Sequence, residues 1–74
     1  MIKWYNIKKE FKPSGEVLAK DKHNNMLLGF VNFDEDEYNY VCEATEGGCI
    51  MYDVEYFIPA KELLINIENE RETN

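Results

Sequence analysis

The stretch YNYVCEATEGGCIMYDVEYFI, residues 38–58, decides the fold class of this chain. Residues 38–44 and 49–58 alternate in polarity and are rich in Tyr, Val and Ile, a composition typical of β-strands. Gly47 and Gly48 separate the two runs and favour a tight turn. Pro59 ends the second run because proline has no N–H to donate to a ladder. The stretch therefore predicts an antiparallel β-hairpin.

The register of this hairpin follows from the rule that opposed residues share one face of a sheet. Apolar side chains meet when Tyr40 lies opposite Val54 and Cys42 opposite Tyr52. This register leaves a three-residue loop, 46–48, whereas a two-residue Gly-Gly loop would set a glutamate against a tyrosine. We therefore predict the three-residue loop.

The predicted register turns Cys42 inward and Cys49 outward, on strands where the two residues are not opposed. A disulfide needs converging Cβ atoms and a Cα separation below about 7 Å. We therefore expect two free thiols, a buried one at Cys42 and an accessible one at Cys49.

The segments before the hairpin supply two more strand candidates. Turns are predicted at 12–15 and 21–25, and strands at 16–20 and 26–33. The run 26–33 is almost continuously apolar and contains Gly29, as in a strand that is covered on both faces or strongly bent. After the hairpin, residues 60–64 form one helical turn or lead into a final strand.

Together these segments predict a mainly β fold. We expect a small antiparallel sheet of four to five strands, bent or partly closed like an SH3-like barrel, with at most one short helix. A single domain is expected over 1–67 and a frayed acidic tail over 68–74. The predicted core consists of Trp4, Val17, Leu28, Phe30, Tyr40, Tyr52, Val54, Tyr56 and Ile58.

Length and composition exclude several classes of function. Seventy-four residues make one small domain, whose core supplies only a few kcal/mol of stability. Such a domain is too small for a buried cofactor cleft, and no cofactor is expected. No apolar run approaches the ~18 residues of a membrane span, and no signal peptide is evident. We expect a cytoplasmic protein.

The residues that carry catalysis or bind metals are scarce. The single histidine, His23, lies in a predicted turn and is expected to be solvated. The acidic run 34–37 does not fit a calcium-binding loop, since the sixth and twelfth positions are Asn39 and Thr45 rather than Gly and Glu. We predict no catalytic residue, no metal site and no enzymatic activity.

The charge is distributed unevenly along the chain. The net charge is −7, made up of +3 over residues 1–33 and −10 over residues 34–74. Residues 34–60 contain eight acids and neither Lys nor Arg. A stretch of one sign produces a field over roughly one Debye length, about 8–10 Å. This charge disfavours nucleic acid and anionic membranes as partners.

In the predicted register, carboxylates and large apolar side chains share the outer face of the hairpin, and the acidic run lies at its open end. Spaced carboxylates on a sheet can imitate the phosphates of nucleic acid, although the outer faces of sheets are often merely polar. Acids interspersed with apolar residues indicate a contact surface. The predicted partner-binding residues are Asp34, Glu35, Asp36, Glu37, Glu43, Met51, Asp53, Glu55 and Phe57.

Several short motifs resemble a small phage and prophage family of unknown function. They are Trp4, the segment Pro13-Ser14-Gly15-Glu16-Val17-Leu18, Gly29, and Tyr56-Phe57-Ile58-Pro59. Members of that family open with a Trp and a Pro/Gly turn before Val-Leu-Val, and close on Trp-Met-Pro-Leu-Pro. In this chain Phe57 takes the place of the closing Trp. The resemblance implies a compact β-rich domain from a mobile element, with no known catalytic residues.

These observations favour a small acidic binding protein without enzymatic activity. Our leading hypothesis is a phage-borne inhibitor that acts on a host nucleic-acid-binding defence protein by nucleic-acid mimicry, as an anti-CRISPR protein does. The expected partner is a host nuclease or another nucleic-acid-handling complex with a basic groove. The alternative is a structural or assembly module that forms homodimers or docks to another phage protein.

Overall fold

The computed structural model describes residues 3–10 and 15–72, apart from the side chains of 66 and 68–72. These residues form six strands and two helices. In chain order they are β1 (Tyr5–Asn6), α1 (Ile7–Glu10), β2 (Val17–Asp21), β3 (Met26–Asp34), β4 (Asn39–Ala44), β5 (Ile50–Met51), β6 (Val54–Pro59) and α2 (Ala60–Glu72). The predicted mainly antiparallel β fold is confirmed, with six strands rather than four or five and two helices rather than at most one.

The strands form one antiparallel sheet in the order β1-β6-β2-β3-β4-β5. Only Tyr52 and Asp53 connect β5 to β6, although four strand spacings separate these strands in the sheet. Four spacings amount to about 19 Å in a flat sheet, whereas three residue steps span at most about 11 Å. The sheet must therefore bend, and β4 contacts β6 across its concave face. The described strands stay open, because no ladder joins β5 to β6.

The hairpin of β4 and β5 differs by one residue from the predicted register. Cys42 pairs with Met51 rather than with Tyr52. The Ala44 N–H donates to the Cys49 carbonyl at 3.0 Å, which closes a four-residue loop over 45–48 instead of the predicted three-residue loop. Both loop glycines have positive φ, +79° and +82°, which allows the longer turn. A shift of one residue moves every β5 side chain to the other face.

The core lies on the concave face of the sheet. It consists of Ile7, Val17, Ala19, Val31, Cys42, Met51, Val54 and Phe57, with Tyr5, Leu27 and Tyr40 packed against it. The inward position predicted for Cys42 and the exposed position predicted for Cys49 are confirmed. Both thiols are free.

Three of the nine residues predicted for the core are exposed, so their placement is wrong; the other six are at least half-buried. Leu28, Phe30 and Tyr52 are exposed. Alternation along β3 turns Val31 inward, so Leu28 and Phe30 lie on the convex face. Both faces of this strand are apolar, so the sequence does not distinguish them. The other members are buried or half-buried: Trp4, Val17, Tyr40, Val54, Tyr56 and Ile58.

Gly29 marks a close approach of backbones, as glycine within a strand often does. A Cβ atom at Gly29 would lie 1.9 Å from the Glu43 carbonyl oxygen and 3.0 Å from the Ala44 Cα. Real atoms do not approach so closely. Gly29 therefore allows β3 and β4 to approach each other closely at this position.

Residues 60–72 are helical, so the alternative of a final strand is wrong. Helix α2 begins with a hydrogen bond from the Ala60 N–H to the Glu16 carbonyl at 2.9 Å. It continues to Glu72 and includes most of the segment that the sequence assigns to a tail. The predicted turn at 12–15 falls mostly outside the described residues. The turn at 21–25 is present, and His23 is exposed there as predicted.

Candidate functional site

The acidic run forms the turn between β3 and β4. Asp34 pairs with Asn39 at the end of the ladder. The Asp34 Oδ1 atom accepts hydrogen bonds from the N–H groups of Asp36 at 3.0 Å and Glu37 at 3.3 Å. This is an Asx turn, in which a side chain takes the place of a backbone acceptor. It holds the backbone of the turn while Glu35, Asp36 and Glu37 remain exposed. We call residues 34–37 the acidic turn.

The other predicted acids do not join the acidic turn on one strand face. Glu43 is exposed on the convex face of β4, opposite Ile50. Asp53 and Glu55 are half-buried at the start of β6. The start of β6 pairs with the end of β2, which in turn pairs with the start of β3. The acidic turn follows the other end of β3, so it lies at the opposite edge of these strands from Asp53 and Glu55. The single acidic hairpin face that the sequence predicts is therefore absent.

Met51 and Phe57, the two apolar residues predicted to contact a partner, are buried, so this prediction is wrong. Met51 is 8% exposed and pairs with Cys42 on the concave face. Phe57 is 4% exposed, and its ring stacks on that of Tyr5 at a centroid distance of 5.5 Å. Both side chains belong to the core, so neither is available to a partner.

A cavity beside the acidic turn brings together residues that the sequence analysis missed as a site. It has a volume of about 440 Å³ and is lined by Lys8, Phe33, Tyr38, Asn39 and Tyr40. The Phe33 ring packs edge-to-face with two tyrosine rings, at centroid distances of 5.4 Å to Tyr38 and 5.0 Å to Tyr40. We call this the aromatic cavity. The sequence feature that could have predicted this cavity is the presence of aromatic residues immediately before and after the acidic run.

Tyr38 displays its ring at the aromatic cavity in a conformation that is unusual for tyrosine. Its side chain is 83% exposed, and its φ is +57°. Left-handed backbone is ordinary for Gly and Asn but costs other residues about 1–2 kcal/mol. An exposed tyrosine recovers little of this cost by packing. The fold thus holds a large aromatic side chain in solvent at a strained position.

Asn39, which lines the aromatic cavity, carries a buried polar atom. Its Oδ1 atom is inaccessible to solvent and has no hydrogen-bond partner among the described residues. A buried acceptor left without a donor costs roughly 1–3 kcal/mol. The cavity is lined by three aromatic rings, Lys8 and Asn39, but the Oδ1 atom of Asn39 is enclosed and does not open into it.

A second exposed feature lies on the convex face of the sheet. Met26, Leu28, Phe30 and Ile50 are each about half exposed there. We call these four residues the convex patch. At its edge the Lys20 ammonium lies 4.2 Å from the centre of the Trp4 ring and 5.2 Å from that of Tyr56. Clustered apolar side chains of this kind are characteristic of contact surfaces.

Among the residues that the structure describes, three ionisable groups have shifted pKa values. The Tyr5 hydroxyl donates to the Glu62 carboxylate at 2.6 Å, and this hydrogen bond, with smaller contributions from burial and nearby acids, raises the pKa of Tyr5. The side-chain hydrogen bond from Asn25, at 3.0 Å, is the main cause that lowers the pKa of Asp21. Burial raises the pKa of the Cys42 thiol. None of these groups lines the aromatic cavity.

Within the described residues, no group of three or more His, Cys, Asp or Glu side chains is arranged to hold a metal ion. The helices in the same residues are too short or too polar to cross a membrane.

Comparisons of this chain with known protein families, with curated proteins and with solved structures found no match. The resemblance to a phage family therefore stays a prediction.

Proposed function

We propose that this chain is a non-enzymatic binding protein that occupies the basic groove of a nucleic-acid-handling protein. The observation that carries the proposal is the acidic turn, which is fixed by its own hydrogen bonds and exposes three carboxylates beside the aromatic cavity. The absence of Lys and Arg from residues 34–60 supports it. Carboxylates here would contact the Lys and Arg side chains that otherwise hold phosphates.

The inhibition would be competitive. The charge of the acidic turn attracts a basic groove and accelerates association, an effect that falls as ionic strength rises. The proposed target is a nuclease or another defence complex in the cytoplasm of a host cell. An anti-CRISPR protein carried by a phage is one concrete form of this proposal.

Capture from a bacterial lysate tests the proposal. Immobilised protein is incubated with lysate at low salt, and bound proteins are released with double-stranded DNA and identified by mass spectrometry. We expect DNA to release a nucleic-acid-binding protein, because the two ligands compete for one groove. The binding site is then tested with a variant that neutralises the acidic turn: Asp34→Asn, Glu35→Gln, Asp36→Asn and Glu37→Gln.

A control variant changes the net charge by the same amount elsewhere: Glu10→Gln, Glu46→Gln, Asp53→Asn and Glu55→Gln. We expect the first variant to associate with the captured protein roughly 10-fold more slowly, within the range of electrostatic steering. The control should retain most of the rate. Equal effects of the two variants, or capture that DNA does not release, would contradict the proposal.

The convex patch favours a second candidate function, a module that forms homodimers or assembles with another phage protein. The patch places four half-exposed apolar side chains on one face of the sheet. Association through it would bury these side chains and would persist at high salt. Light scattering measures the mass in solution, and Phe30→Glu is expected to convert a dimer to a monomer. A monomeric wild-type protein at high concentration would exclude the homodimer.

A further inference from the structure

We propose that a second cavity, beside the edge strand β1, binds a small organic ammonium ion. The cavity has a volume of about 370 Å³ and is lined by Tyr5, Glu10, Phe57, Pro59 and Glu62. We call it the Tyr5 cavity. Its volume lies within the range of small-molecule sites in proteins, roughly 300–1,000 Å³. The inference goes beyond the proposed function and does not rest on it.

Hydrogen bonds fix the position of Glu62 in this cavity. Glu62 lies in the first turn of α2, and that helix begins with the bond from the Ala60 N–H to the Glu16 carbonyl. The Tyr5 hydroxyl donates to the Glu62 Oε1 atom at 2.6 Å. One carboxylate is therefore held beside a hydroxyl group in a defined geometry without any ligand.

Glu10 brings a second carboxylate to the same hydroxyl group. The pKa of Tyr5 is raised first by its hydrogen bond to Glu62, then by burial and by the negative charges of Glu62 and Glu10. Both carboxylates therefore lie near the Tyr5 oxygen, although α1 and α2 are far apart in the sequence. No lysine or arginine is among the residues that line the cavity.

The chemistry of the lining selects a hydrogen-bond donor with a positive charge. The Tyr5 hydroxyl gives its proton to the bond with Glu62, so its oxygen offers only lone pairs to a ligand. An ionised carboxylate donates no hydrogen bond and has about four acceptor sites, so the bond from Tyr5 leaves others open. Phe57 and Pro59 have no side-chain donor. An anion would therefore meet no side-chain donor in the cavity, whereas an ammonium group meets three acceptor groups.

The apolar part of the lining favours an organic ion over a metal ion. The Lys3 ammonium lies 4.8 Å from the centre of the Tyr5 ring, within the range of about 6 Å for a cation–π contact. Lys3 does not line the cavity, so it shows what the ring attracts without filling the site. The Tyr5 ring and Pro59 can also pack against hydrocarbon. A bare metal ion would gain nothing from that contact, and the two carboxylates do not make up a metal-binding group.

A titration followed by NMR tests the inference directly. The probe is cyclohexylamine, which is a cyclohexylammonium ion at neutral pH. Cyclohexanol has nearly the same shape but no charge, and ammonium chloride supplies the charge without an apolar body. We expect cyclohexylamine to cause saturable shifts of the Tyr5 and Phe57 ring signals. It should bind at least about 10-fold more tightly than either comparison compound, equivalent to about 1.4 kcal/mol.

Matched variants separate the cavity from the general attraction of an acidic protein. Glu10→Gln with Glu62→Gln removes both charges, and the new amide oxygen can still accept the hydrogen bond from Tyr5. The control, Glu35→Gln with Glu46→Gln, removes two exposed charges that do not line the cavity. We expect the first pair to weaken cyclohexylamine binding at least about 10-fold, again near 1.4 kcal/mol, and the control to leave it unchanged. If the first pair does not fold, Glu10→Gln alone should weaken binding about 3-fold, as for the loss of one exposed ion pair.

A further probe distinguishes a free amine from the lysine of a partner protein. Nα-acetyl-lysine methylamide carries the same ammonium group, but the lining offers no side-chain donor to its two amide carbonyls. We expect it to bind no more tightly than cyclohexylamine. Tighter binding of the lysine probe would assign the cavity to a protein partner and overturn the free amine as its ligand.

Three other results would also overturn the inference: no saturable shift, equal binding of cyclohexylamine and cyclohexanol, or equal effects of the two pairs of substitutions. None of them bears on capture from the lysate, which tests the proposed function separately.

Discussion

Substitution of two adjacent residues in β5 tests the register of the sheet. Met51 is 8% exposed and lies against the core, whereas Ile50 is 52% exposed on the convex face. Truncation of a buried Met to Ala costs about 2–5 kcal/mol, because the lost burial adds to the cost of a cavity. Full burial of an Ile side chain stabilises a protein by about 1.5–3 kcal/mol. Because Ile50 is half exposed, we expect Ile50→Ala to lower the free energy of unfolding by about half of that, near 1 kcal/mol.

The measurement is thermal unfolding of Met51→Ala and Ile50→Ala by circular dichroism. A chain of this length has a stability of roughly 4–11 kcal/mol, and 1 kcal/mol corresponds to about 4–8 °C in Tm. We expect Ile50→Ala to lower Tm by about 4–8 °C and Met51→Ala by at least about twice as much.

Should Met51→Ala not fold, Met51→Leu keeps the volume and is expected to cost less than about 1.5 kcal/mol. The register predicted from the sequence turns Ile50 inward and Met51 outward. If Ile50→Ala destabilised the protein as much as Met51→Ala or more, the register described here would be wrong.

Three further predictions concern the backbone, the thiols and the dependence of stability on pH. Gly29→Ala should prevent folding or lower Tm sharply, because its Cβ would lie 1.9 Å from the Glu43 carbonyl oxygen; a Tm within a few degrees of the wild type would show that the strands can move apart. Cys49 should react with a thiol reagent at neutral pH well before Cys42, which is buried and has a raised pKa; equal rates for the native protein would contradict this. The pKa of Asp21 is lowered in the folded state, so its contribution to stability is present above the unfolded pKa of about 3.9 and is lost as pH falls through the folded value. Urea unfolding as a function of pH should therefore show a smaller acid-dependent loss for Asp21→Asn than for the wild type, and identical slopes below pH 4 would count against it.

Charge segregation and local patterns were visible in the sequence. The alternation of residues 38–44, the glycines of the following turn and the break at Pro59 all depend on neighbouring residues, and they predict β4, the turn after it and the end of β6 in the correct places. The single strand predicted over 49–58 is wrong, because it divides at Tyr52 and Asp53 into β5 and β6, and β6 pairs with β1 and β2 rather than with β4. The inward position of Cys42 follows from the same alternation within one strand. The acidic turn was also predicted, because its four residues are consecutive.

The sequence-based predictions of the face of β3 and the register of β5 were wrong, because both depend on contacts between strands. The face of β3 could not be assigned because Leu28 and Val31 are equally apolar, and the bend of the sheet decides which of them is enclosed. The register of β5 depends on a loop one residue longer than expected. The positive φ of Asp53 then interrupts the alternation, so that Met51 and Val54 both reach the core. Neither the longer loop nor the positive φ of Asp53 could be predicted from the pattern of neighbouring residues.

The sequence by itself therefore determined the class of fold, the uneven charge and the place of the acidic turn, since each follows from residues adjacent in the chain. Only the tertiary structure decided which apolar side chains are enclosed and which of them form the convex patch. It alone assembled the aromatic cavity, because Lys8 comes from α1, Phe33 from β3 and Tyr40 from β4. The physical reason is that pairing and bending bring these elements together, and both depend on the core of the whole sheet rather than on any one strand.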